Sequence, residues 1–118
     1  MDKEHKVLNA KIAEALGPES QLRQLMEECG ELITAANKVI RVYKKTSTVF
    51  ERVKVRHNLI EEAGDVIVLL SQIMHLMSIT DTELSETMEM KVDRTWERVA
   101  TEKGWEKCGS DVRDAEKS

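Results

Sequence analysis

The sequence is poor both in residues that break helices and in residues that build aromatic cores. Its 118 residues include one proline, five glycines, two tryptophans, one tyrosine and one phenylalanine. Hydrophobic residues nevertheless make up 41% and charged residues 34% of the chain. Such a composition is typical of a helical protein. The length predicts a single domain with its own core.

Long apolar runs are also missing. The most apolar run, 66–70, is too short to cross a bilayer. The first residues, MDKEHKVLNAK, lack the apolar region of a signal peptide. Cys29 and Cys108 have no metal-ligand spacing and fit a reducing compartment. We therefore expect a cytoplasmic protein without a membrane partner.

Charge is modest overall but unevenly distributed. The net charge of −4 argues against nucleic acid as a partner. The segment 41–56, however, holds six basic residues and one acidic residue, so it carries +5 and the remainder carries −9. Lys44 and Lys45 are two of these basic residues.

Apolar side chains recur at helical spacing in four segments separated by short polar breaks. Gly17 and Pro18 end the first helix and open the second. The segment KKTST forms a loop before the third helix, and Thr80 with Glu83 has the spacing of a capping box. The predicted helices are about 3–16, 18 to 43 or 45, 49–78 and 81–103.

Four helices with short connections predict an all-α four-helix bundle. We expect the domain to span 1–108 and a polar tail to occupy 109–118. The third helix is apolar on most sides in its second half, which predicts a central position. That much apolar surface exceeds what one small bundle covers, so we expect an oligomer.

A doubled acidic motif interrupts the apolar pattern. LMEECGELI at 25–33 is followed thirty-four residues later by LIEEAGDVI at 59–67. Residues three apart lie on one helix face, so Glu28 and Glu31 point the same way, as do Glu62 and Asp65. If the two helices run antiparallel, the two motifs face each other.

Carboxylates inside apolar helices need a partner, because unpaired burial is costly. Oxygen ligands of this kind suit Mg²⁺, with Mn²⁺ as a substitute. The structural alternative is a network in which the acids pair with Lys38, Arg41 or Arg56. A di-iron site is excluded, because Lys54 and Gln72, rather than glutamates, stand three residues before His57 and His75.

EECGEL followed by EEAGDV resembles the signature of the all-α nucleoside triphosphate pyrophosphohydrolases. This superfamily contains MazG-like enzymes, dimeric dUTPases and phosphoribosyl-ATP pyrophosphohydrolases, and the resemblance covers about 22–98. It implies Mg²⁺ ligands at Glu28, Glu31, Glu62 and Asp65, with cleavage between the α and β phosphates of a nucleoside triphosphate. Family members are usually homodimers or homotetramers whose sites a neighbouring subunit completes. The length fits the small MazG-like branch best.

Two groups of cations are candidates for phosphate binding. Lys91, Arg94 and Arg98 form one stripe on the fourth helix, and the resemblance implies phosphate contacts there. The alternative is a solvated helix face. Lys44 and Lys45 would draw a triphosphate toward the nearby acidic motifs, unless the basic segment merely offsets the acidic remainder.

The expected function is Mg²⁺-dependent hydrolysis of a (d)NTP to a (d)NMP and pyrophosphate, as in the removal of unwanted nucleotides. In this reaction Glu27 or Glu61, which flank the predicted ligands, would accept the proton of the attacking water. The alternative is a helical binding or assembly module that keeps the MazG-like fold without turnover. No feature of the sequence distinguishes bases or sugars.

Overall fold

The computed structural model describes residues 1–105, and this part of the chain contains four α-helices and no strand. They are α1 (Lys3–Leu16), α2 (Pro18–Lys44), α3 (Val49–Leu76) and α4 (Asp81–Lys103). The predicted all-α class is confirmed. The expected tail at 109–118 lies outside the described residues.

Helix boundaries follow local signals. α3 ends two residues earlier than predicted, because Ser78 adopts a positive φ of 54° that cannot continue the helix. Thr48 caps its other end and accepts a hydrogen bond from the backbone N–H of Glu51 at 3.1 Å. No described helix combines the length and apolarity that a membrane span requires.

Residues 1–79 form one compact unit in which α2 and α3 pack along each other and α1 packs on both. The loop between α2 and α3 is only four residues long, so the two helices run antiparallel. This pairing brings Glu28 of the first acidic motif close to Glu62 and Asp65 of the second, so the two motifs face each other, as predicted for antiparallel helices.

The apolar core of this unit is small. Its buried apolar residues are Ala13, Ala35, Val66 and Leu69, and no large side chain is fully buried anywhere in 1–105. Many large apolar side chains on α2 and α3 are instead exposed. The sequence expectation of excess apolar surface therefore holds for the described chain.

Three buried amides connect the helices of this unit. Gln21 Nε2 on α2 donates to Gln72 Oε1 on α3, and Gln72 Nε2 donates to Asn9 Oδ1 on α1 at 2.7 Å. Asn9 Nδ2 then donates to the carbonyl of Val68 at 3.2 Å. This amide chain fixes α1 and α2 on α3, because each member would be costly to bury alone.

Residues 80–105 belong to a second unit, described here by itself. The predicted capping box is present: Glu83 N–H donates to Thr80 Oγ1 at 3.1 Å and Thr80 N–H donates to Glu83 Oε2 at 2.8 Å. The hydrogen bonds from Thr80 hold the pKa of Glu83 below its usual range. Gly104, at φ +72°, ends α4, and the ring of Trp105 lies 6.1 Å from that of Trp96.

Candidate metal centre

Three carboxylates converge where the two acidic motifs meet. Glu28 on α2 and Glu62 and Asp65 on α3 each offer an oxygen, and these oxygens lie within 4.8 Å of one another. Glu28 and Glu62 are half-buried, whereas Asp65 is exposed. The three-residue spacing on α3 and the antiparallel pairing with α2 together create this group.

The carboxylates of the cluster lie close together and carry like charges, so they repel one another. Partial burial of Glu62, followed by the negative charges of Asp65, Glu31 and Glu28, raises the pKa of Glu62 above its usual range. None of the three clustered carboxylates forms an ion pair with lysine or arginine within 1–105. The structural alternative, pairing with Lys38, Arg41 or Arg56, is therefore absent from the described chain.

The chemistry of this donor set fits a hard divalent cation. All three donors are carboxylate oxygens, with no nitrogen or sulfur ligand among them, and such an all-oxygen set suits a hard cation. Gln24 orients one of them, since its Nε2 donates to Glu28 Oε1 at 3.0 Å. Mg²⁺ and Mn²⁺ both prefer such a ligand set.

The remaining acidic residues of the motifs lie around the cluster. Glu31 is exposed and stands outside the group of three oxygens, although its charge acts on Glu62. Glu27 is exposed. Glu61 is exposed and its Oε1 lies 3.0 Å from Nε2 of His57, one turn away on α3. Gln24 and His57 were not predicted as neighbours of the motifs, although each stands four residues before the glutamate that it contacts, a spacing that indicates contact on a helix.

A cavity of about 530 Å³ adjoins the cluster on the side of the α2–α3 loop. Its lining comes from the second half of α2 and the first half of α3. Glu61 is shared between the cavity wall and the flank of the carboxylate cluster. The lining residues are Lys38, Val42, Glu51, Lys54, Val55, His57, Asn58 and Glu61.

The predicted phosphate-binding cations occupy two places. Lys44 is the last residue of α2, and Lys45 follows it with its Nζ 3.6 Å from Glu51 Oε2. Lys91, Arg94 and Arg98 are exposed on α4, in the second unit. Lys91 also borders an apolar cavity of about 400 Å³ together with Trp96 and Trp105.

Comparison with known families gives a match over most of the chain. The family model described as the MazG nucleotide pyrophosphohydrolase domain matches residues 16–100. The match contains both acidic motifs and most of α4. No curated protein and no solved structure gives a significant match to the chain.

Proposed function

This chain belongs to the MazG nucleotide pyrophosphohydrolase domain family, and on that premise we propose that it hydrolyses a (d)NTP to a (d)NMP and pyrophosphate with Mg²⁺. The observation that supports this proposal is the convergence of Glu28, Glu62 and Asp65. We include Glu31 among the ligands, because its charge reaches Glu62 and its helix face is that of Glu28.

The carboxylates would hold the cation against the α2–α3 pair. When bound, Mg²⁺ would neutralise phosphate oxygens and lower the pKa of a water molecule. The four acids repel each other without it, so they form a site prepared for positive charge rather than a stable packing contact.

The reaction requires attack by water on the α phosphorus and departure of pyrophosphate as the α–β phosphoanhydride bond breaks. A carboxylate must take the proton of that water. Glu27 and Glu61 are our candidates, since both flank the ligands. Glu61 is engaged by His57, whereas Glu27 makes no hydrogen bond or ion pair within 1–105. Glu27 is therefore the freer acceptor of the two.

Phosphate oxygens that face away from the carboxylates need cations of the protein. We assign this role to Lys91, Arg94 and Arg98, whose spacing of three and four residues puts them on one face of α4. Lys44 and Lys45, at the loop end of the α2–α3 pair, would attract the triphosphate by long-range charge.

We also propose that the functional protein is a homodimer or homotetramer. Met26, Ile33 and Ile40 recur every seven residues on α2 and are 66%, 63% and 52% exposed. A matching stripe on α3 comprises Val53, Ile60 and Ile67. Apolar stripes with a seven-residue repeat are typical of helices that pack against other helices. A second copy of the chain offers the same stripes.

The test of the activity is release of pyrophosphate from a panel of standard and modified NTPs and dNTPs, with and without Mg²⁺. We expect Mg²⁺-dependent release accompanied by the nucleoside monophosphate. Release of orthophosphate would contradict cleavage between the α and β phosphates. A folded, helical protein that turns over no member of the panel would favour the non-catalytic binding module.

A further inference from the structure

The cavity beside the carboxylate cluster contains an amide that the reaction does not use. Asn58 lies four residues before Glu62 on α3, which places it about 6 Å farther along the helix axis. Its side chain is half-buried and lines the cavity of about 530 Å³. The volume falls within the range of small-molecule sites, roughly 300–1,000 Å³.

The charges of the cavity lining are balanced. Lys38 and Lys54 contribute two positive charges, while Glu51 and Glu61 contribute two negative charges. A phosphate tail needs net positive charge, which the cavity does not supply. A neutral group with hydrogen-bonding edges fits better, particularly because Val42 and Val55 provide apolar surface for a flat ring.

The carboxamide of Asn58 forms no hydrogen bond or ion pair with any residue of 1–105. A half-buried amide of this kind offers one acceptor and one donor side by side. The hydrogen-bonding edge of every nucleobase presents complementary groups, and asparagine is well suited to them. Rotation of the amide allows it to match each base in turn.

We propose that this cavity is the nucleoside subsite and that Asn58 hydrogen-bonds the edge of the base. The inference rests on the proposed function, because it places the nucleoside of the same substrate whose α phosphate lies at the carboxylates. Only the sugar separates that phosphate from the base, which agrees with the separation of one helical turn between Asn58 and Glu62. The subsite accepts several bases, since a carboxamide can present either its hydrogen-bond donor or its acceptor to the base.

The first test compares Asn58→Leu with the control Asn37→Leu. Asn37 is exposed on α2 and does not line the cavity. Loss of the base contact should raise KM about tenfold for each NTP, because the polar base edge is left unpaired, and should change kcat little. Inhibition by inorganic tripolyphosphate, which has no base, should be unchanged. The control should match the wild type.

A second variant changes the hydrogen-bonding pattern without changing the shape. Asn58→Asp offers acceptors only, so it should shift the order of kcat/KM among the four bases toward guanine, whose edge presents adjacent N–H donors. An unchanged base preference in this variant, or an unchanged KM in Asn58→Leu, would overturn the assignment. Weaker tripolyphosphate inhibition in Asn58→Leu would overturn it too, because the cavity would then hold the phosphate tail.

Failure of the proposed activity would be seen separately, as a wild-type protein that releases no pyrophosphate. The subsite is then tested by equilibrium binding of nucleoside monophosphates to the wild type and to Asn58→Leu. Binding that Asn58→Leu weakens about tenfold, while Asn37→Leu does not, supports the subsite. Equal binding, or none by the wild type, overturns it.

Discussion

Glu28 on α2 and Glu62 on α3 bring carboxylate oxygens within 4.8 Å of each other, although thirty-four residues separate them in the chain. Neither has a lysine or arginine partner within 1–105. Two negative charges held this close oppose folding unless a cation lies between them. This repulsion is the physical basis of the metal-ligand role that we propose for both residues.

Neutralising any single ligand should abolish activity without unfolding the protein. We expect Glu31→Gln, Glu62→Gln and Asp65→Asn each to lower kcat/KM about 100-fold or more, because even groups that only orient metal ligands contribute 10–100-fold. Steady-state pyrophosphate release measures this. Glu19→Gln is the control, since it removes only an exposed ion pair with Arg23 on α2. Near wild-type turnover at saturating Mg²⁺ would remove that residue from the ligand set.

Thermal unfolding of the Glu62→Gln variant should distinguish the repulsion between the carboxylates from their binding of Mg²⁺. Without metal, Glu62→Gln should melt at a higher temperature than the wild type, because one of the crowded charges is gone. Added Mg²⁺ should raise the Tm of the wild type more than that of the variant. A metal-free variant that melts below the wild type would show that Glu62 stabilises the fold.

A charge in the middle of the apolar stripes should prevent self-association. Ile33→Lys combined with Ile60→Lys should yield a smaller species in sedimentation velocity than the wild type, because two desolvated lysines oppose helix packing. Val7→Lys is the control, since Val7 is an exposed apolar residue on α1, outside both stripes. A wild-type chain that sediments as a monomer at micromolar concentration would contradict the proposed oligomer.

Gly64 lies between two proposed ligands, Glu62 and Asp65, and an added Cβ there would meet no atom within 4 Å. Gly64→Ala should therefore stabilise the metal-free protein by about 1 kcal/mol through helix propensity. We also expect a lower kcat/KM, since a methyl group between two proposed ligands would narrow the space left for the substrate. Ser85→Ala on α4 is the control for propensity alone. Unchanged activity in Gly64→Ala would show that the substrate does not lie against this part of α3.

The buried amide chain should contribute to stability. Gln72→Leu removes hydrogen bonds to both Asn9 and Gln21 and leaves their polar atoms buried, so we expect a loss of about 2 kcal/mol in the free energy of unfolding. Chemical denaturation at fixed protein concentration measures it. Asn37→Leu, on an exposed face of α2, is the control. Equal stability of Gln72→Leu and wild type would mean that α1 is held by apolar contacts alone.

Lys44 and Lys45, next to the α2–α3 loop, should affect the binding of the substrate rather than the hydrolytic step. Lys44→Ala with Lys45→Ala should raise KM, leave kcat nearly unchanged and weaken the salt dependence of kcat/KM. Lys3→Ala with Lys6→Ala removes the same charge from α1 and serves as the control. An unchanged KM across a salt series would mean that Lys44 and Lys45 only help to connect α2 and α3 and do not bind the substrate. Lys45 would then serve as the ion-pair partner of Glu51.

The sequence by itself determined the helices and the grouping of acidic residues on one face of α2 and one face of α3. Caps and breakers act within a few residues, so Gly17, the Thr80–Glu83 box and Gly104 located the helix ends correctly. The exception is Ser78, whose positive φ shortens α3. Periodicity likewise placed the acids of each motif on one helix face, because the spacing of side chains on a helix is fixed.

Only the tertiary structure decided which groups from different helices meet. The packing of α2 on α3 selects Glu28, Glu62 and Asp65 for the tightest group and leaves Glu31 beside it. The same packing forms the cavity at Asn58 and buries Gln72, a residue that the apolar pattern of α3 did not single out. Helical period specifies a face within one helix, whereas contacts between helices depend on how far one helix is shifted along the other, and no local signal encodes that shift.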